Sequence, residues 1–413
     1  MIDELPRLEA SVSVTPISAP PVSTGATDKP RNGALSVVLL AISAFVIVTT
    51  EFLIVGLLPA LARDLNISIT VAGMLVTLFA FSVMLFGPIL TGLVSHFDRK
   101  RLFVVLLVIF AGSNALAAVA PNIWVLALAR FLPALALPIF WGTASETAGE
   151  IAGPERASKA VANVYLGIAG AMVFGIPLGT LAGAAFGWRG AFWALAVLSL
   201  VMAVLLVVVM PTLAKPQRMR LGEQMRILKS PFFLANIGLS VLVFTAMFTA
   251  YTYLADMLEQ IARVPTKDVG WWLMGFGAIG LIGNWLGGIM VGRGALRATA
   301  LVSAVLAVGM AAAVPSATSP VGLALALGVW GLANTALYPI CQIRVMKAAT
   351  HAQALAGTLN VSMANAGIGL GAIIGGAAIK SLGIGSLGYI AAGIALLAVV
   401  AVPFVARLQP ETA

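Results

Sequence analysis

Apolar stretches of about 20 residues recur through this chain from Val37 to Val405, and each is long enough to cross a ~30 Å hydrocarbon core as an α-helix. Short polar breaks separate them. Twelve such spans fall near 36–61, 70–95, 102–120, 122–148, 160–184, 188–211, 231–258, 269–292, 298–314, 319–346, 353–380 and 384–407. The runs are continuous and rich in Leu, Ala, Val and Gly, whereas the strands of a membrane barrel alternate over about ten residues. Within a bilayer only helices and closed barrels satisfy every backbone polar group. The pattern therefore predicts an all-α membrane protein, and composition agrees: 61% of the 413 residues are hydrophobic and 9% charged, against roughly a quarter charged in soluble domains.

Residues 1–33 differ in kind. They are full of Pro, Ser, Thr and Val with scattered charges, too polar to bury a core, and are expected to form a disordered cytoplasmic tail. They lack the basic start and following apolar region of a cleaved signal peptide, so the first span is expected to act as its own insertion signal. The single cysteine, Cys341, excludes an internal disulfide, and His96 and His351 lie too far apart in sequence to suggest a metal site.

The net charge of +9 is a topology signal. With the N-terminus inside, eighteen of the twenty-four Lys and Arg residues fall in cytoplasmic segments, five outside, and Arg130 within a span. That asymmetry satisfies the positive-inside rule with both termini cytoplasmic. The basic residues act as membrane anchors, and a nucleic-acid partner is not expected.

The longest internal polar segment, 212–230, follows six spans and precedes six more. An offset of 196 carries Gly87 to Gly283, Leu90 to Leu286, Gly92 to Gly288 and Arg101 to Arg297; an offset of 197 carries Asn163 to Asn360, Gly170 to Gly367 and Gly179 to Gly376. Two duplicated bundles are expected, over 34–211 and 231–413, joined by a cytoplasmic linker. Repeated halves place binding sites at their interface near the bilayer midplane.

Glu51 and Arg130 lie deep inside spans. Glu51 in TTEFLIVGLL is about ten residues, ~15 Å, from the outer end of the first span, and Arg130 in ALARFLPALAL is about eight residues, ~12 Å, from that of the fourth. At matching depth each alone costs about 2.5 to 3.5 kcal/mol on insertion scales, so both are expected to face a polar interior. A carboxyl there is a candidate for proton coupling, its charge set by burial and by the guanidinium. The alternative is a permanent ion pair, or a Glu51 bonded to neighbouring Thr, that merely fixes two helices.

Candidate cavity residues follow helical spacing: Thr249 and Tyr253 on the seventh span, Trp330, Asn334 and Tyr338 on the tenth, Trp141 on the fourth and Asn365 on the eleventh. Mostly apolar walls with a few polar handles suit a small organic solute. Asn360 and Asn365 equally suit hydrogen bonds between helices. In the fifth span Gly175, Gly179, Gly183 and Gly187 recur every fourth position, allowing close helix approach, and Pro177 removes a backbone donor. In SHFDRKRLF, Asp98 stands at the start of the third helix, where its charge suits the dipole.

These residues resemble the major facilitator superfamily, in particular its drug:proton antiporter branch, which includes bacterial purine-nucleoside and sugar efflux proteins. The likeness covers about 36–408. It rests on TEFLIVGLLPALARDLNIS, LALARFLPALALPIFWG, GIPLGTLAGAAFGWRGAFW and FTAYTYLADML. It implies two six-helix bundles rocking around a cavity lined by spans one, four, seven and ten. The family's span-four arginine maps to Arg130, its antiporter glycine-proline motif to Gly175, Pro177 and Gly179, and its gating loop to Gly92, Asp98, Arg99, Lys100 and Arg101. The usual acidic position of that loop falls on His96, a departure that puts its charge-relay gating in doubt.

The resulting expectation is a monomeric secondary transporter of the bacterial inner membrane, exporting a small organic solute such as a drug, nucleoside or sugar by proton-coupled alternating access. Preference for export rests on the resemblance alone. An importer or facilitator is the alternative within transport, and a solute receptor the alternative outside it. No HExxH, GxSxG or phosphate loop is present, so neither an enzyme nor a cofactor is expected.

Overall fold

The computed structural model describes residues 33–94, 97–153, 156–211, 213, 225–349 and 352–409. Most of the expected tail and linker, and both histidines, His96 and His351, lie outside the described residues.

Every regular element among the described residues is helical. The first six crossings are built from α1 (Gly33–Asp64), α2 (Ile69–Val94), α3 (Arg99–Ala118), α4 (Ile123–Ala152), α5 (Ala157–Gly170) and α6 (Ile176–Val209), with a π-helical turn over Ala171–Gly175. The second six are built from α7 (Pro231–Tyr251), α8 (Leu254–Gln260), α9 (Thr266–Met290), α10 (Ala295–Ala313), α11 (Pro320–Lys347), α12 (Gln353–Leu382) and α13 (Leu387–Arg407). Eleven continuous runs are long and apolar enough to span a bilayer, one of them the 51 residues Lys159–Val209. That run is bent in two at Gly187, whose φ of 79° and ψ of 155° are not helical, so the chain makes twelve crossings.

Gly187 was expected to extend the small-residue stripe of the fifth span. It is instead the corner: nothing lies within 4 Å of a Cβ built there, whereas Cβ atoms at Gly175, Gly179 and Gly183 would strike Thr49, Leu53 and Leu57 of α1. Its positive φ is the constraint. Gly187→Val is accordingly expected to cost on the order of 1–3 kcal/mol, read as a lower unfolding midpoint in detergent, although the side chain would meet no steric obstacle.

Local sequence explains the helix starts. Ser230 and Ser319 each accept a hydrogen bond from the amide three residues on, Phe233 and Gly322, and each is followed by a proline at the first helical position. Such caps contribute about 1 kcal/mol, and a proline there sacrifices a donor with no intrahelical partner anyway. Asn122 caps α4 through the amides of Trp124 and Val125.

The duplication read from the sequence reappears as repeated packing. Gly167 of α5 sits against Ala41, Ala44 and Phe45 of α1, and Gly367 of α12 against Val241, Phe244 and Thr245 of α7; Gly175 meets Thr49, and Gly375 meets Thr249. These matched contacts are 200 residues apart, so for this helix pair the spatial register is about a turn away from the offset of 197.

Contact between the two sets of helices is uneven. At the end remote from the linker, Thr70 donates to Gly376 O at 3.2 Å, Gly73 abuts the Tyr253 hydroxyl, and Gly270 of α9 rests on Leu181 and the Pro177 carbonyl. Midway, Phe52 and Phe248 pair at 5.9 Å, and Gly277 lies on the backbone of Met172 and Val173. Towards the linker end Gly280, Gly283 and Gly287 of α9 pack on α11. The two sets therefore meet at the far end, in the middle and, where a Cβ built at Gly87 of α2 would lie 3.4 Å from Ser362 Oγ of α12, nearer the linker as well.

Candidate functional site

Arg130 is buried where α4 crosses α1. Its Nη1 donates to Thr50 O at 2.5 Å and its Nη2 to Glu51 O at 2.7 Å, while the guanidinium carbon stands 4.4 Å above the centre of the Phe79 ring. Asn114 of α3 reinforces this point by donating from Nδ2 to Thr50 Oγ1 at 3.1 Å. A guanidinium presents a rigid fork of donors, and two successive carbonyls on one helix face match it. The sequence suggested a partnership between Arg130 and Glu51; the structure realises it through the Glu51 backbone.

The Glu51 carboxyl is consequently left in a different condition from that of a locked pair. It forms none of the ion pairs found among the described residues, yet it lies within electrostatic reach of Arg130 and, across the two sets of helices, of Tyr338. Both Glu51 and Tyr338 are partly open. Around them runs a chain of rings: Phe244 meets Tyr338 at 5.1 Å, Phe248 meets Tyr251 at 5.5 Å, Tyr251 stacks on Phe276 at 5.5 Å, and Phe276 meets Trp330 at 5.6 Å. On the α4 side Trp141 faces Tyr165 at 5.7 Å. An acidic group bordered by aromatic rings combines one ionisable side chain with apolar contact surface.

Other expected cavity residues sit deeper. Thr249 donates to Thr245 O at 2.7 Å within α7 and is sealed by α12. Tyr253 donates to Ala372 O at 2.8 Å and wedges between α2 and α12. Both belong to helix seams in this conformation: Thr249 because α12 packs on it through Gly371 and Gly375, and Tyr253 because α7 ends at Tyr251 and the chain turns before α8. Trp330, Asn334 and Asn365 are buried too, but Trp330 Nε1, Asn334 Oδ1 and Asn365 Oδ1 have no hydrogen-bond partner among the described residues. Unpaired buried polar atoms are costly and call for a partner such as water or ligand. Asn360 takes the interhelical role, donating to Gln342 Oε1 of α11 at 2.7 Å.

At the linker end Asp98 caps α3, accepting from the Arg101 amide at 2.8 Å. Buried Arg99 pairs with Glu146 of α4 at 2.6 Å, while Lys100 is half-buried and Arg101 exposed. Glu146 was missed by the sequence reading, although its place four residues after Gly142 on the inner part of a span was a signal of the same kind as Glu51. Gly175, Pro177 and Gly179 lie together where α6 meets both α1 and α9: Thr49 and Leu53 face the glycines, and the Pro177 carbonyl touches Gly270.

Twelve helical crossings in two packed sets, enclosing a carboxyl and aromatic side chains between them, define a polytopic membrane transporter. A family model for the Major Facilitator Superfamily matches residues 40–361. The inner membrane transport protein YdhP of Escherichia coli (strain K12) is 37% identical over 382 residues, covering 90% of this chain and 96% of that protein. The chain belongs to the Major Facilitator Superfamily, whose members are transporters and not enzymes, and it is a multi-pass inner-membrane protein. In fold it is similar to a bacterial homologue of the human lysosomal transporter Spinster, with a TM-score of 0.76, 14% identity, and coverage of 93% of this chain and 99% of that one. It is also similar to a D-xylose–proton symporter, with a TM-score of 0.74, 14% identity, and coverage of 92% and 98%.

Proposed function

We propose that this transporter exports a small organic solute in exchange for protons, by alternating access around Glu51. The observation that carries the reading is the Glu51 carboxyl: partly open, within electrostatic reach of Tyr338 across the two sets of helices, and in no ion pair among the described residues, while Arg130 directs its fork at the carbonyls of Thr50 and Glu51. Such a group is free to exchange a proton for a polar group of the cargo. The drug:proton antiporter resemblance supports export. The proposed moving parts are residues 34–211 and 231–413, with the linker and both termini cytoplasmic as the excess of Lys and Arg at that end favours. The chain is proposed to work as a monomer.

The test has two stages. A thermal-stability screen in detergent against nucleosides, sugars and amphenicol-type drugs identifies a ligand, which at 100 times its Kd raises stability by about 2.7 kcal/mol. Inside-out vesicles acidified within should then accumulate that labelled ligand, and a protonophore should discharge it. A ligand accumulated only by right-side-out vesicles driven by inward protons would overturn export in favour of symport.

A further inference from the structure

The far end holds a second buried acid, remote from Glu51. A groove of about 640 Å³, largely open to solvent, lies there between the two sets of helices, lined by Arg63, Asn66 and Ile69 from the first set and Asp256, Glu259 and Gln260 from the second. Glu259 reaches across it to Arg63 at 2.6 Å. Asp256, on the same short helix α8, has only 4% of its surface exposed. Its Oδ1 accepts from Gln260 Nε2 at 2.7 Å, and its Oδ2 has no hydrogen-bond partner among the described residues.

The charge balance of this groove is uneven. The titratable and charged groups that act on Asp256 are Glu259 and Tyr253 beside it on the chain and Arg63 from α1. Arg63 is engaged by Glu259, the Tyr253 hydroxyl donates to Ala372 O, and the nearby linings from α1 and α2, Pro59, Ala62 and Ile69, are apolar. An ionised Asp256 would keep a full charge with a single neutral donor and no cation of its own, an arrangement that is strongly disfavoured away from water.

We propose that Asp256 is a proton-binding site of this inter-half groove, holding its proton while the far end is closed and giving it up when that end opens. The physical link is water. Closure packs α8 against the end of α1 and removes water from the carboxyl; separation of the two sets rehydrates it and makes the ionised form tolerable. The backbone departs from helix at Tyr253, with φ of −110° and ψ of 16°, immediately before α8. By linkage, a proton that binds the closed arrangement better must favour that arrangement. Low pH closes the far end and rising pH opens it.

The test is a distance measurement that needs neither substrate nor transport, so it can fail independently of the exporter reading. Nitroxide labels at Val119→Cys and Leu382→Cys, both exposed at the far end on opposite sets, are placed in a Cys341→Ser background, and electron–electron resonance distances are recorded in nanodiscs between about pH 5 and about pH 8. The long-distance population should grow at least tenfold relative to the short one as pH rises. Asp256→Asn, which mimics the neutral acid, should stay at the short distance throughout; Asp256→Ser serves if the first variant does not fold. Glu259→Gln should shift the balance towards opening yet retain the pH response, and Glu51→Gln should retain it too. A response preserved in both Asp256 variants, lost in Glu259→Gln or Glu51→Gln, or absent from the unmutated chain would overturn the proposal.

Discussion

Glu51→Gln is expected to abolish solute accumulation driven by a pH gradient while leaving downhill exchange of the same solute intact. The substitution keeps the shape and most hydrogen-bonding capacity of the side chain and removes only the exchangeable charge. It leaves the fold largely untouched, because Arg130 is anchored on the carbonyls of residues 50 and 51, and a glutamine backbone supplies the same two acceptors. Binding should report the change directly. If proton and cargo compete at Glu51, affinity in the unmutated protein weakens as pH falls, by at most about tenfold per unit for one proton displaced. In Glu51→Gln the profile should be flat, at the weak level of the protonated site. The measurement is a titration of the ligand at several pH values in detergent, and an unchanged slope would move the coupling proton elsewhere, with Asp256 the first place to look.

How much of this was legible in the sequence depends on what kind of physics fixed each feature. The crossings were readable because a bilayer imposes a length and an apolar composition on each one, and the spans expected at 36–61 or 70–95 differ from Gly33–Asp64 and Ile69–Val94 by only a few residues. The contact of Gly175 and Gly179 with α1 followed from small residues at a four-residue step. Gly187, identical in the pattern, was misread because sequence spacing cannot distinguish a glycine chosen for its missing side chain from one chosen for its positive φ. Helical spacing put Thr249 and Tyr253 on the cavity stripe, but the turn after Tyr251 redirects Tyr253 into the seam with α12. Backbone acceptors leave no mark in sequence either: two charges at one depth suggest an ion pair, and nothing in the letters says that the guanidinium will choose carbonyls. Ion pairs across the duplicated sets, such as Arg63 with Glu259, required knowing which ends approach.

That choice by Arg130 yields the second large expected effect, and the right comparison is between three substitutions. Arg130→Ala removes two charge-assisted hydrogen bonds, each worth about 1.5–3 kcal/mol, along with the ring contact to Phe79, and opens a void. The buried charge it eliminates was itself expensive to desolvate, so the net loss of stability should be on the order of 2–4 kcal/mol. Arg130→Met restores most of the volume but loses the same two hydrogen bonds and leaves the Glu51 carboxyl without a cationic neighbour, so its unfolding midpoint should lie above that of Arg130→Ala and below that of the unmutated protein. Arg130→Lys keeps a point charge but cannot grip two carbonyls at once. If the arginine served only to fasten α4 to α1, the methionine variant would be folded and would still transport. The arrangement around Glu51 predicts otherwise: Arg130→Met folded but unable to accumulate solute, and Arg130→Lys slower by roughly a hundredfold, the ~2.7 kcal/mol equivalent of one weakened clamp. Transport by the methionine variant within a few-fold of normal would reduce Arg130 to a structural post and leave Glu51 to set its charge state without a cationic neighbour.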